Sequence, residues 1–258
     1  MDVTSELTIV IPVRIDCRER EENLEVVLYT LLKTTSAFIF ILEADKERKY
    51  HPREQSNRLN YMFVHDGNPV FHRTRYLNKL LRLSKTHIAG IWDTDVILDA
   101  TQIEEAVNTV KSGTTLCYPF DGCFLFLNPR QSDDVKKDVL SFLNNKNFDD
   151  MEAPSMGRPS VGGAFIVNRQ RYMEAGGENE NFYGWGPEDA ERFKRMEILQ
   201  EPVARIQGPL FHLYHPRGIN STFGHDERDK RNVRELVNIC RMDTGQLKKY
   251  IDTWVWKQ

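Results

Sequence analysis

The stretch Ile91-Trp92-Asp93-Thr94-Asp95-Val96-Ile97-Leu98 decides the fold. The apolar run from His87 to Trp92 predicts a short buried strand, and two carboxylates, Asp93 and Asp95, follow it at spacing i, i+2. In an extended chain that spacing puts both side chains on one face. Two carboxylates at the C-terminal edge of a buried strand suit a hard divalent cation, Mn²⁺ or Mg²⁺. Such a cation takes one or two protein carboxylates and fills the rest of its shell with diphosphate oxygens and water. An isolated Asp-x-Asp is more often a solvated turn, so the reading depends on the surrounding chain.

Outward from this strand the pattern is α/β. Leu7-Thr8-Ile9-Val10-Ile11-Pro12-Val13 is a near-continuous apolar run, as expected of a strand covered on both faces. Glu21 to Lys33 carries Leu24, Val27, Leu28 and Leu31 at helical spacing, and Ala37 to Leu42 is a second buried strand. Strand, helix, strand predicts a right-handed crossover and a mostly parallel sheet. A third strand is expected over Leu59 to Val64, and a helix over Arg73 to Leu83 feeds the Asp93/Asp95 strand. Thr101-Gln102-Ile103-Glu104 reads as a capping box opening a helix that stops at Gly113, followed by a strand from Thr114 to Phe120. From Asn128 to Arg158 the chain turns polar, with a helix expected over Asp134 to Leu143 and a loose Asp149–Arg158 tail. Beyond it lie a strand over Val161 to Val167, a helix over Glu188 to Met196, short strands at Val203 to Ile206 and Leu210 to Leu213, and C-terminal helices from Asp226.

With 258 residues, 40% hydrophobic and 28% charged, this is the composition of a globular protein of one large domain or two smaller ones. A net charge of −3 lacks the basic footprint of a nucleic-acid binder. The acidic opening from Met1 to Glu6 is unlike a signal-peptide n-region, and no apolar stretch approaches the ~20 residues of a membrane span. A soluble, cytoplasmic protein is expected, with any membrane contact peripheral. Cys17, Cys117, Cys123 and Cys240 form no CxxC or zinc spacing and are expected to be reduced and mostly buried.

Three further stretches carry chemistry. Gly162-Gly163-Ala164-Phe165 and Asn181-Phe182-Tyr183-Gly184-Trp185-Gly186-Pro187-Glu188-Asp189 concentrate glycines, aromatics and two adjacent acids. Glycines admit close approach of a ligand to the backbone, and aromatic faces stack on sugar rings. A carboxylate beside such a platform suits a general base for a hydroxyl, although acids at a helix start are commonly there to complement the helix dipole. Phe211-His212-Leu213-Tyr214-His215 offers two imidazoles to a cation site that has only carboxylates, His212 preferred and His215 close behind. Arg14 after the first strand, and Arg73 and Arg75 opening a helix, are placed for phosphate, with surface solvation the simpler reading for Arg75.

In this order the motifs resemble the inverting GT-A glycosyltransferases, nearest the β-1,4-galactosyltransferase group, the polypeptide N-acetylgalactosaminyltransferases and the chondroitin polymerases (family 2 and family 7 C-terminal-like). Ile11-Pro12-Val13-Arg14 is similar to the family's Ile-Pro-Phe-Arg, Phe71-His72-Arg73 to its Phe-Asn-Arg, and Asp93-Thr94-Asp95 to its metal motif. Gly162-Gly163 with Trp185-Gly186-Pro187-Glu188-Asp189 is similar to its Gly-Gly and Trp-Gly-Gly-Glu-Asp. Pro187 stands for a Gly, Ala190 for a third acid and His72 for an Asn.

The resemblance implies one GT-A domain over 1–258, with a nucleotide-binding half (1–127), an acceptor half (128–225) and C-terminal helices (226–258). It implies transfer of galactose or N-acetylgalactosamine from a UDP-sugar to a hydroxyl of a glycan or glycolipid. Asp189 would be the base and Glu188 its neighbour in catalysis. Pro12, Arg14, Asp45, Arg73, Asp93, Gly163 and Trp185 would line the donor, and Tyr183, Trp185, Gly186 and Glu188 the acceptor. Asp95, Asp93 and His212 or His215 would hold Mn²⁺ or Mg²⁺. Two rival classes are a sugar-nucleotide pyrophosphorylase and a carbohydrate- or nucleotide-binding protein that has kept the fold and lost turnover. Against the first, Arg14 to Glu22 contains no glycine for a phosphate loop; Pro187 and Ala190 keep the second open.

Overall fold

A computed structural model of the chain describes residues 2–145, 159–222 and 226–257. The first half alternates as the apolar pattern requires: β1 (Leu7–Val13), α1 (Arg18–Thr34), β2 (Phe38–Asp45), β3 (Leu59–His65), α2 (Arg73–Leu83) and β4 (Ile88–Trp92). Every residue of β1 and β4 is buried, because helices cover both faces of parallel strands. After β4 come β5 (Val96–Ile97), α3 (Ala100–Lys111), β6 (Leu116–Tyr118), β7 (Phe124–Phe126), α4 (Pro129–Lys137) and α5 (Val139–Asn144). The remainder is β8 (Ala164–Asn168), α6 (Arg169–Glu174), α7 (Glu188–Leu199), β9 (Val203–Arg205), β10 (Leu210–His212), α8 (Glu227–Cys240) and α9 (Thr244–Asp252). No described helix is long and apolar enough to cross a membrane.

The main sheet runs β3-β2-β1-β4-β8-β6-β9, and all its strands are parallel except β8, which opposes both β4 and β6. A small sheet, β5-β10-β7, stands beside it. The expected boundary near residue 128 therefore does not divide the sheet, since β8 and β9 are central and edge strands of the same layer as β1. The carboxyl ends of β1, β4, β6 and β9 and the entry to β8 form one edge of that layer, the edge at which open α/β sheets bind ligands.

Several local expectations change. Asp93 to Asp95 is not extended: β4 ends at Trp92, and the chain turns so that Trp92 Nε1 donates to Val96 O at 3.3 Å. The two carboxylates line one cavity but take different partners, Arg73 for Asp93 and Arg20, His212 and His215 for Asp95. The α3 cap is Asp99, whose Oδ1 accepts from Thr101 N at 2.7 Å, and Glu104 is exposed, so no capping box forms there. The helix expected over Asp134 to Leu143 is two, broken at Asp138, with a capping box at Asn128 instead. The Asp149–Arg158 tail lies outside the described residues. The cysteines are free, but only Cys117 is buried; Cys17 is half-buried and Cys123 and Cys240 are exposed.

Helix α7 carries two fully buried arginines. Arg195 donates from Nε to Glu191 at 2.8 Å and from its two Nη atoms to Ala175 O and Gly177 O at 2.6 Å each. This clamps the turn after α6 to α7. Removing one partner of a buried ion pair strands the other charge. Arg195→Met is therefore expected to lower the unfolding free energy by about 3–5 kcal/mol in urea titrations, and Glu191→Gln added to it to restore part of the loss.

Candidate active site

A cavity of about 1450 Å³ opens along the carboxyl edge of the main sheet. Its wall includes Pro12, Arg14, Arg73, Asp93, Asp95, Gly163, Trp185, Gly186, Glu188, Asp189, His212 and His215. Asp45 and Tyr183 are not in that wall. Asp45 closes β2, taking Lys49 Nζ at 2.7 Å and Lys46 N at 2.7 Å. Tyr183 donates its hydroxyl to Val70 O at 3.1 Å and meets the His72 ring edge-on.

Asp95 is the most buried acid of the cation motif, 3% exposed. β10 pairs antiparallel with β5, His212 opposite Val96, and Leu213 N donates to Asp95 O at 2.7 Å. That pairing delivers His212 Nε2 to 3.4 Å from Asp95 Oδ1 and His215 Nε2 to 3.2 Å from Asp95 Oδ2. One ligand atom from each of Asp95, His212 and His215 can be chosen with all three within 4.8 Å of one another. His215 Nδ1 lies 2.8 Å from Pro216 O, and donating its proton there leaves Nε2 as the lone-pair nitrogen. One carboxylate and two imidazoles form a donor set suited to Mn²⁺ more than to Mg²⁺, so these residues fit the cation the sequence implies. Both histidines reach Asp95, so the structure brings together the two imidazoles between which the sequence preferred His212.

Arg20, from the first turn of α1, completes this cluster. It donates from Nη1 to Asp95 Oδ2 at 3.2 Å and Thr94 Oγ1 at 3.2 Å, and from Nε to Asp16 at 2.8 Å. Burial alone would push the Asp95 carboxyl up, but His212, His215 and Arg20 hold it well below the usual carboxylate range. Burial pulls His212 down from the ordinary histidine value. For His215 the carboxylate of Asp95 outweighs burial and raises it.

Asp93 pairs with Arg73, Nη2 to Oδ1 at 2.5 Å, and its backbone N–H donates to Gly163 O at 2.9 Å. Burial raises the Asp93 carboxyl, although its side chain keeps 32% exposure toward the cavity. The other guanidinium nitrogen of Arg73, Nη1, is buried with no partner among the described residues. Arg14 differs. It donates to Ala44 O at 2.7 Å, Asn68 O at 2.7 Å and Asp66 Oδ2 at 2.8 Å, so it ties the ends of β2 and β3 together. A phosphate at Arg14 would have to displace these bonds.

Glu188 and Asp189 open α7. Asp189 Oδ1 accepts from Arg192 Nη1 at 2.7 Å, and Arg192 in turn grips Glu178 through Nε at 2.9 Å and Nη2 at 2.8 Å. The second oxygen, Oδ2, lies over Gly162: a Cβ there would sit 2.4 Å from it. Gly162 is thus required by the carboxylate. Gly184 and Gly186 answer to protein packing rather than to a ligand, since a Cβ would meet Val70 at 2.8 Å at the first and Asn232 of α8 at 2.7 Å at the second. Trp185 between them remains 39% exposed on the cavity wall. Burial, with Asp189's charge adding, pushes the Glu188 carboxyl up to about 8, and its Oε2 has no partner among the described residues.

Arg20 and Arg192 escaped the sequence reading. Arg192 stands one helical turn after Asp189, a spacing that identifies it once the helix is assigned; nothing local in the sequence ties Arg20 to Asp95.

A family model described as the N-terminal domain of galactosyltransferase matches residues 145–216. No curated protein matches the sequence. Among solved structures, a mannosyltransferase from Pyrobaculum calidifontis, in complex with GDP-Man and Mn²⁺, superposes with a TM-score of 0.50 at 12% identity, over 83% of this chain and 58% of that one. Glucosyl-3-phosphoglycerate synthase from Mycobacterium tuberculosis, in complex with Mn²⁺, UDP and phosphoglyceric acid, gives 0.48 at 13% identity over 96% and 81%. The fold is GT-A, that of the nucleotide-diphospho-sugar transferases.

A carboxyl whose folded pKa lies above its unfolded value binds its proton more tightly in the native state, so stability falls as pH rises between the two. For Glu188 that window runs from its ordinary value of 4.5 to about 8. Glu188→Gln is expected to gain stability relative to the parent across this window, read as a melting-temperature difference that widens with pH.

Proposed function

We propose that this protein is a metal-dependent glycosyltransferase, a single GT-A domain over 1–258, moving galactose or N-acetylgalactosamine from a UDP-sugar to a hydroxyl of a glycan or glycolipid with inversion. The observation that carries this reading is the convergence on one cavity of a carboxylate–imidazole cation site and a carboxylate clamped by a buried arginine. The galactosyltransferase model over residues 145–216, which span Gly162 to His215, supports the choice of sugar.

Asp95, His212 and His215 would hold the cation, which when bound supplies positive charge to the diphosphate. Arg73, with one guanidinium nitrogen on Asp93 and another unpartnered, would donate to the same leaving group. The acceptor oxygen would bond to the anomeric carbon on the face opposite the diphosphate as the bond from that carbon to the diphosphate oxygen breaks. Asp189 would take the hydroxyl proton, and UDP would leave with the electron pair. Glu188, whose carboxyl burial pushes up from the ordinary range, would donate a hydrogen bond that orients the acceptor when protonated. Trp185 would give the sugar an aromatic face.

Calorimetry with UDP tests the donor site: binding is expected to need Mn²⁺, and Asp95→Ala to abolish the metal-dependent part with the circular dichroism unchanged. Binding of UDP by the variant at parental strength would defeat the cation assignment. Asp189→Asn is expected to keep UDP and Mn²⁺ affinity but lower kcat about 10²–10⁴-fold. Near-parental turnover would remove Asp189 as the base. UDP-galactose that binds but is neither hydrolysed nor transferred by the parent chain would favour the binding-protein reading.

A further inference from the structure

Arg205 is a cation with no hydrogen-bond or ion-pair partner among the described residues. It is the last residue of β9, the edge strand, whose carboxyl end points the same way as those of β1 and β4. It lines the cavity, its guanidinium carbon 4.6 Å from the centroid of the Tyr118 ring and 5.9 Å from that of Phe120. Its Nη1 is buried against Gly122, where a Cβ would come within 3.2 Å. The nearest acid, Asp121, is committed elsewhere, to Cys123 N at 2.8 Å, Gln207 Nε2 at 2.8 Å and Gly208 N at 3.2 Å. Burial pulls the Arg205 guanidinium below its ordinary value, and Tyr118 and Asp121 only partly offset it. A half-buried guanidinium without a hydrogen-bonded counter-charge among the described residues is placed to take a ligand anion, whose charge-assisted hydrogen bond would offset the cost of its burial.

Its position says which substrate it faces. Along the sheet edge the order is β1, β4, β8, β6, β9, so the cation cluster at the end of β4 and Arg205 at the end of β9 flank the Gly162–Gly163 entry to β8. Asp189 lies over Gly162. The segment from Gly162 back to Pro159 leads to Gly122 and Arg205: Ser160 N donates to Gly122 O at 2.9 Å, and a Cβ on Gly122 would touch Pro159 at 2.7 Å. Arg205 is therefore on the far side of the proposed base from the diphosphate-binding edge. Phe193, one turn after Asp189 on α7, also lines the cavity, its ring centroid 6.5 Å from that of Tyr118.

We infer that Arg205 forms an anion subsite in the acceptor half of the cavity, so that the acceptor sugar carries a carboxylate or a phosphate. This rests on the glycosyltransferase reading for the word acceptor, but the site itself is testable without turnover. Glucose, glucuronate and glucose 6-phosphate differ only at C6, where they carry a hydroxymethyl, a carboxylate and a phosphate ester. Their equilibrium binding is to be measured by calorimetry for the parent chain, Arg205→Met and Arg205→Lys, with and without UDP and Mn²⁺.

At least one anionic sugar is expected to bind the parent about tenfold or more tighter than glucose, the margin of a charge-assisted hydrogen bond. That margin should vanish in Arg205→Met and persist in part in Arg205→Lys, and the stronger anion identifies carboxylate or phosphate. Equal affinities for all three sugars, no binding of either anion, or a margin that survives Arg205→Met would overturn the inference. So would displacement of the anionic sugars by UDP with Mn²⁺, which would place them at the diphosphate. A chain that binds an anionic sugar through Arg205 yet never binds UDP upholds the subsite and refutes the transferase reading. One that binds UDP with Mn²⁺ and ranks the three sugars alike does the reverse.

Discussion

A carboxylate that must stay charged inside the protein organises the rest of the site. Asp95 is almost inaccessible, and burial of an ion without compensation is prohibitive. The compensation comes from three side chains in two parts of the chain: His212 on β10 and His215 just beyond it, and Arg20 on α1. None is near Asp95 in sequence, so the chain has to return to the turn after β4. The small sheet achieves that return, with two residues of β5 pairing to β10 and Leu213 N bonding Asp95 O. Arg20 is itself tethered to Asp16. Its charge is shared between two carboxylates, which leaves the Asp95 Oδ1 edge to His212.

A second buried-charge cluster supports the opposite wall. Arg192 joins Glu178 to Asp189 and lies 4.1 Å over the Phe165 ring on β8, while Tyr172 donates to Glu178. Glu178 is thereby held down at about 2 despite complete burial. The two acids that begin α7 share one helix N-terminus and its dipole, yet their environments differ. Asp189 is 35% exposed at its side chain and has Arg192 at one oxygen, whereas Glu188 is 8% exposed and has an oxygen without a partner among the described residues. For Glu188 burial outweighs the dipole. Adjacent carboxyls separated in this way can take different parts in proton transfer.

Much of the fold was legible in the sequence, because continuous apolar runs such as Leu7 to Val13 and the heptad-like leucines of α1 and α2 have only one plausible partner arrangement. The residues gathered at the cavity were largely legible too, since short polar motifs directly follow buried strands. Period and composition could not show turns. Asp93-Thr94-Asp95 is a turn closed by an indole N–H, and β5 and β7, at two and three residues, are too short to register as a pattern. Nor could they separate a glycine required by a ligand from one required by a neighbouring helix: Gly186 answers to Asn232, forty-six residues away. The buried charges were the least legible. Arg192 and Arg195 look like the solvated face of an amphipathic helix until the packing of β8 and Trp254 against them is known.

Arg14 and Arg205 show why residue type and strand position do not suffice to assign a phosphate or carboxylate ligand. Each follows or ends a parallel strand at the same sheet edge, and each has an aromatic ring beside its guanidinium, Phe71 for the first and Tyr118 for the second. Around Arg14 the β2 and β3 ends supply two carbonyls and the Asp66 carboxylate, and Tyr76 donates to the same carboxylate. Its hydrogen-bonding capacity is directed inward, and the residue acts as a strut. Around Arg205 the nearby carboxylate of Asp121 is turned to the Cys123 and Gly208 amides and the Gln207 side chain, and the neighbouring described chain approaches through Gly122 and Pro159, which carry no side-chain acceptor. The sequence motif singled out the first arginine because it sits in a recognisable run, Ile11-Pro12-Val13-Arg14. Counting acceptors among the described residues around each guanidinium reverses the order, and of the two it is Arg205 that has hydrogen-bonding capacity left for an incoming anion.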